Sequence, residues 1–491
     1  MRPAYLLCFF ALFVCAQRDD LPPFTRAVTD PGVVTTRQAI TPAGVQSVFN
    51  GRVYGAAFGQ DSSDLYVLNA SAIYRLDPLT NASRGTVTLG GTPGLQALRY
   101  DDRFKRILFA ENPRGGTGVQ LVASAGEKRQ VLAQGLGSNL AGSIAVSTGG
   151  QPIAAVPLTA NNRVALIDAD SGRTLANVDT GIAPFGAVLS RDGSAAWVSN
   201  WGGRKARPGE LTAPTGSAPN ADQVVVDKRG IAATGTVTRI DVAKGTATHT
   251  VAVGLHPTAL ALDEQRQRLY VANSNSDSIS VIDTAANRVV YTIQLQPFGE
   301  KTPGVAPTAL VLSADGKRLF AACGGINAVA VLDAAGRRVE GLIPTSWYPN
   351  ALALSPDGRK LAVTALLGVG SGSRETPKQR FVHSYRGTVH VLDIPDAAQL
   401  ASYSTAVAEN NRLQLAGSGG RPPVALAPRS QAPARAVPQR AGEASLIEHV
   451  VFIIKENRTY DQVLGALPQG NGDRSLVMFG RDVTPNQHKL A

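Results

Sequence analysis

Apolar and polar positions alternate along most of this chain in runs of about six residues closed by Asn, Asp, Ser or Gly, the pattern of short β-strands joined by tight turns. Between His256 and Leu295 four such runs follow one another: Pro257-Thr258-Ala259-Leu260-Ala261-Leu262, Arg268-Leu269-Tyr270-Val271-Ala272-Asn273, Ser278-Ile279-Ser280-Val281-Ile282-Asp283 and Arg288-Val289-Val290-Tyr291-Thr292-Ile293. The unit restarts at Pro307-Thr308-Ala309-Leu310 and Pro349-Asn350-Ala351-Leu352, and upstream at Pro184-Phe185-Gly186-Ala187. Four strands recurring roughly every 40 to 50 residues predict a β-propeller. Blades start near Val53, Leu95, Gly142, Pro184, Pro257, Pro307 and Pro349. The count is seven, with the weakly patterned second blade leaving six or eight open.

The turns carry their own chemistry. Asp192-Gly193, Asp315-Gly316 and Asp357-Gly358 fall between first and second strands, where a tight hairpin needs residues that tolerate positive φ. Third strands end in Asp77, Asp168, Asp241, Asp283, Asp333 and Asp393, which read as turn formers that bond the backbone two residues on rather than as catalytic groups. Two blades carry long insertions, Gly202–Ala233 and Gly368–Arg386. Both fall between second and third strands and so project from one face, where binding usually concentrates. A small-molecule or protein ligand on that face and an irregular excursion without function are weighed equally. His383 and His390 lie in or beside the second insertion; six histidines in all are too few for a His-rich copper cluster.

Outside the ring the pattern changes. Residues 17–50, with Pro22-Pro23, Pro31-Gly32 and Pro42, read as an extended arm, one strand of which, within Val33–Val48, is expected to complete the last blade. The propeller spans 51–396. Within the segment 397–446, Ala397–Asn411 has helical spacing, with Leu400, Tyr403 and Val407 on one side, and is expected to cap the disc. Ala416–Gly442, rich in Pro, Gly, Ala and Arg, reads as a linker. From 447 to 491 a different unit begins. Val450-Val451-Phe452-Ile453-Ile454 is an apolar run of the kind buried in a parallel sheet, and Glu456 and Asn457 stand at its carboxyl end, where ligands gather in α/β sheets. Two oxygen donors there suit a divalent cation; a strand-to-helix turn with Asn457 or Thr459 as cap fits the same residues. The fold expected is mainly β: a seven-bladed propeller with a short C-terminal α/β fragment.

Composition adjusts this picture at three points. With 491 residues the chain exceeds one core, so more than one unit is expected. Residues 1–16 form a signal peptide, with Arg2, an apolar run Leu6–Val14 and Val14-Cys15-Ala16 as cleavage site, too short to span a bilayer. Export to the periplasm or exterior follows. Cys15 makes a poor lipoprotein box because Val14 before it is not small, and lipid attachment is the less favoured outcome. Cleavage leaves Cys323 as a small core residue. The net charge of +11 invites nucleic acid, yet Arg412, Arg421, Arg429, Arg435 and Arg440 sit in one stretch without interleaved aromatic residues to stack bases, so no nucleic-acid partner is expected.

The repeats resemble the YVTN-type propellers of exported bacterial proteins, Tyr270-Val271-Ala272-Asn273 being the nearest copy of the naming motif, with Ala where Thr is common. The resemblance covers Val53 to Asp396 and bears on fold more than on function. His449–Gly465, with Glu456-Asn457-Arg458-Thr459-Tyr460-Asp461, resembles the opening of the phosphoesterase family that includes bacterial phospholipases C and acid phosphatases, within the alkaline-phosphatase superfamily. Gly470-Asn471-Gly472-Asp473 and Phe479–Asn486 resemble its branch fused behind a YVTN propeller. The resemblance implies a hydrolase of phosphate esters, with Glu456 and Asn457 in a divalent-metal site and a Ser or Thr nucleophile. Against that pattern, the chain stops at Ala491, before the family's nucleophile and remaining ligands. Thr484 precedes the expected nucleophile position and is a weak candidate, as is His488 for a ligand. A domain truncated in this way is expected to be inactive, poorly packed after Ile447 and unable to hold its metal stably. The competing reading is a secreted binding propeller with a vestigial tail; a redox or hydrolytic centre in the ring finds no motif.

Overall fold

The computed structural model describes residues 32–36, 38–116, 118–216, 221–299, 304–372, 384–416, 433–438, 443–451 and 458–491. Residues 1–16, the expected signal peptide, and the first part of the arm lie outside them.

Seven four-stranded antiparallel sheets follow one another along the chain. They begin with the strands Val53–Phe58, Gly91–Asp101, Ala145–Val146, Ile182–Leu189, Pro257–Asp263, Pro307–Leu312 and Trp347–Leu354. Blades one to six are each built from four consecutive strands of the ring. The seventh takes its outermost strand from the arm: Val45–Val48 pairs antiparallel with Thr388–Asp393, Val45 opposite Val391 and Val48 opposite Thr388. The arm therefore joins the two ends of the ring in one sheet. The second blade, weakest in sequence, forms four full strands, while the third has the shortest inner strand, Ala145–Val146.

The sheets pack face to face through alternate side chains, giving a series of apolar clusters between neighbouring blades. One holds Tyr270, Ile279, Leu319, Ala321 and Cys323 between blades five and six; another holds Phe320, Val331, Leu361 and Val363 between six and seven. Cys323 is fully buried, and burial pushes its thiol up to about 12, as befits a core residue.

The turns behave as the sequence suggests, with one addition. Gly193, Gly316 and Gly358 have φ of 76°, 66° and 69°. In each turn the Asp carboxylate also accepts a hydrogen bond from a Ser two residues earlier, Ser190, Ser313 or Ser355. That Ser Oγ in turn accepts the backbone N–H opening the second strand, at 2.9 Å each time. After third strands, Asp77, Asp168, Asp283 and Asp333 accept N–H groups two and three residues on, and Asp241 that of Lys244. Asp393 departs from the set and pairs with Lys360 at 2.6 Å.

The helix Ala397–Asn411 has the expected limits, with the Asp396 side chain capping Gln399 N–H. Its position corrects the expected cap over the disc: it lies along the outer strand of blade six, Arg338–Pro344. Leu400 enters the cluster between blades six and seven, and Val407 that between five and six. Gly341 makes the approach feasible, since a Cβ there would come within 2.6 Å of Leu400 Cγ.

The C-terminal unit lies partly outside the described residues. Val450 and Val451 are in no strand and are 81% and 84% exposed; Phe452–Ile454 lie outside the described residues. The described remainder is helical, with Tyr460–Leu464, a 3-10 turn at Arg474–Leu476 and Pro485–Leu490.

Candidate functional site

The inner strands of all seven blades surround a central cavity of about 500 Å³. Small side chains recur around its wall, Ala56, Ala145, Ala187, Ala259, Ala309 and Ala351 coming from six different blades, between exposed backbone polar groups. Polarity is concentrated at blades two and three. In the first strand of blade two the pairing slips between Pro93 and Leu98, and Gln96 takes φ 55°. The bulge drives the Gln96 side chain across the channel, where its Nε2 donates to the carbonyls of Thr308 at 3.1 Å and Asn350 at 2.5 Å on blades six and seven. Beyond that bridge the lining continues to Asp102, Thr148 and Pro356 in first-to-second-strand turns. These turns lie on the face opposite the insertions, because successive strands run in opposite directions.

Arg99 enters the same cavity. Its Nη1 donates to the carbonyls of Leu98 at 2.8 Å and Gln96 at 3.3 Å, and its Nη2 to Ser143 Oγ at 2.7 Å. Among the described residues no carboxylate lies within ion-pair distance of it and its Nε takes no partner. The side chain keeps some contact with cavity solvent, but the surrounding wall strips enough water from the guanidinium to bring its pKa down to about 10. Asp102, the only other charged residue among the described residues of the lining, is shifted upward by burial first and by neighbouring Asp101 second. The site thus holds an arginine with no carboxylate within ion-pair distance among the described residues.

The face bearing the insertions is ordered differently. Residues 204–234 include a two-stranded hairpin, Thr212–Pro214 with Gln223–Val225. Arg204 clips its base by a two-pronged contact to Glu210, which brings that carboxyl down to about 2. Beneath it Trp201 stacks on Phe185 at 4.1 Å and meets the edge of His256 at 4.8 Å. Burial lowers the His256 pKa. This trio draws on three strands or strand ends, so no linear motif announces it. Of the second insertion, residues 373–383, including His383, lie outside the described residues. His390 is not on a loop: it sits fully buried in the third strand of blade seven.

Glu456 and Asn457, the residues assigned to a metal, lie outside the described residues as well. Their immediate neighbours are described. Thr459 caps the helix Tyr460–Leu464 in a capping box, its hydroxyl accepting Gln462 N–H while the Gln462 side chain accepts Thr459 N–H at 3.1 Å. Asp461 accepts the Asp473 N–H at 2.7 Å, and the Arg458 guanidinium lies over the Phe479 ring. Thr484 and His488 are both buried. The Thr484 hydroxyl stands 3.0 Å from the carbonyls of Phe479 and Gly480 and 3.0 Å from His488 Nδ1, an arrangement that ties the last helix to its own N-terminus. Among the described residues no group of three His, Cys, Asp or Glu side chains is disposed to hold a metal ion, and no helix is long and apolar enough to cross a membrane. No protein-family model matches the chain, and no curated protein matches it.

Proposed function

We propose that the chain is an exported propeller joined through a Pro- and Ala-rich linker to the opening segment of a metal-dependent phosphoesterase. The observation that carries this reading is the hexapeptide Glu456–Asp461, whose second half starts a helix through the Thr459–Gln462 capping box. In the sequence Glu456 and Asn457 precede that start, with Arg458 between. A carboxylate beside a carboxamide offers oxygen donors only, which fits a hard divalent cation. Such an ion, when bound, supplies charge stabilisation for a phosphoryl oxygen. The covalent chemistry that the resemblance implies further needs a free Ser or Thr hydroxyl, and that of Thr484 is engaged by backbone carbonyls. The 491-residue chain is therefore expected to contact the ion without turning over p-nitrophenyl phosphate.

The chain has two methionines, Met1 and Met478, and Gln462 Nε2 donates to Met478 Sδ at 3.3 Å. Carbon-13 labelling of the methionine methyls gives Met478 as a reporter next to the motif. Titrated Mn²⁺ should broaden its signal in the native chain and leave it sharp in the Glu456→Gln, Asn457→Ala double variant. A signal that never broadens, or that broadens equally in the variant, removes the phosphoesterase reading. What then stands is a secreted binding propeller, a reading favoured by the ordered hairpin of the first insertion above Trp201.

A further inference from the structure

We propose that the central cavity is a binding site for the carboxylate or phosphate group of a small molecule, with Arg99 as its anchor. The inference goes beyond both readings above, since it concerns neither the C-terminal motif nor the insertion-bearing face.

Three features converge. The first is charge. An arginine placed among backbone carbonyls, a serine hydroxyl and alanine methyls has lost water without gaining a carboxylate. Burying a charge without a partner is costly, and a native chain pairs such a charge unless something else arrives to do so. The second is donor geometry. A guanidinium has five N–H groups, and the three bonds to Gln96, Leu98 and Ser143 leave Nε and part of Nη2 for a ligand oxygen. The Ser143 hydroxyl accepts from Arg99, so its own proton is free to point the same way. Planar, multidentate donation to an oxyanion is what arginine does better than lysine. The third is enclosure. At about 500 Å³ the cavity falls in the roughly 300–1,000 Å³ range of small-molecule sites. The Gln96 bridge to Thr308 and Asn350 forms its floor, so entry is from the face of the first-to-second-strand turns. The alanine-rich wall opposite Arg99 has room for the apolar body of the ligand. Asp102 stands near the mouth, where its charge disfavours an entering anion.

The test uses calorimetric titration of the full chain with inorganic phosphate, phenyl phosphate and succinate against chloride at equal ionic strength. At least one of the three should bind with one-to-one stoichiometry. A preference for phosphate or phenyl phosphate identifies a phosphoryl group as the source, and a preference for succinate identifies a carboxylate. Arg99→Met should weaken that binding at least tenfold while leaving the melting temperature equal or higher, because the unpaired charge is gone. Asp102→Asn, which leaves the anchor in place, should tighten it several-fold. The Glu456→Gln, Asn457→Ala double variant should bind as the native chain does, which separates this site from the C-terminal one. Failure of all three anions to bind, or unchanged affinity in Arg99→Met or in Asp102→Asn, would overturn the proposal.

Discussion

The proline-led starts of blades five, six and seven, Pro257-Thr258, Pro307-Thr308 and Pro349-Asn350, mark the repeat in sequence, but their work becomes visible only around the ring. Thr258 Oγ1 donates to the carbonyl of Pro307 at 3.0 Å, Thr308 Oγ1 to that of Pro349 at 2.8 Å, and Asn350 Nδ2 to that of Val53 at 3.1 Å. A buried side chain thus ties each blade to the next, in series from blade five through blade one, and Ser274 Oγ gives the Pro307 carbonyl a second donor at 2.5 Å. The Pro349 carbonyl would lose its side-chain donor without Thr308, and leaving a buried acceptor unpaired costs about 1–3 kcal/mol. Thr308→Val, which keeps the side-chain shape, should lower unfolding free energy by an amount in that range, read from urea denaturation. An unchanged midpoint would show that water replaces the hydroxyl. The link is illegible in one unit because donor and acceptor sit in different units, whereas the Ser-x-Asp-Gly turns are legible because everything they need lies within five residues.

At the scale of elements, legibility again follows sequence distance. The limits of the helix Ala397–Asn411 could be read directly, since Asp396 after Pro395 supplies a cap and the apolar spacing is local. Where it docks could not, because the receiving groove depends on Gly341, a glycine indistinguishable in sequence from the many in turns. On the bonded side Leu342 N–H donates to Ser404 Oγ at 2.9 Å, so the helix is held by polar contact as well as by Leu400 and Val407. Gly341→Val would push into Leu400 and Ser404 and should cost about 1–3 kcal/mol, the usual toll of overpacking. Helix displacement would show as faster proteolysis around Arg412, and an unaltered digest would contradict the docking. Of the strand expected over Val450–Ile454 only Val450 and Val451 are described, and both stand exposed outside any strand. The Arg99 site escaped sequence reading because it rests on the irregular bulge of Pro93–Leu98 in blade two, where the repeat pattern is faintest.

For the molecule as a whole, closure of the ring depends on one short strand, Val45–Val48, and the residue beneath it is His390. The imidazole is fully buried, donates from Nδ1 to the carbonyl of Ala43 at 2.8 Å and leaves Nε2 without a partner among the described residues. Desolvation lowers its pKa from 6.5 to about 4, opposed weakly by the Ala43 bond. The folded ring therefore holds the imidazole neutral, while the unfolded chain takes up a proton once the pH drops below about 6.5. Stability is full above that value and falls as the pH goes from 6.5 towards 4, by roughly 3 kcal/mol for a shift of this size. The cost lands at the junction: a second ring proton at Nε2 would have no acceptor, and the strand that covers it is the one holding the two ends of the ring together. Urea denaturation at pH 7 and at pH 4.5 should show the native chain losing most of this increment, and His390→Gln, which cannot take up the proton, losing markedly less. Hydrogen exchange at pH 4.5 should quicken first at Val45–Val48 and Thr388–Asp393. Equal pH sensitivity in the two proteins would place the acid-labile element elsewhere in the ring.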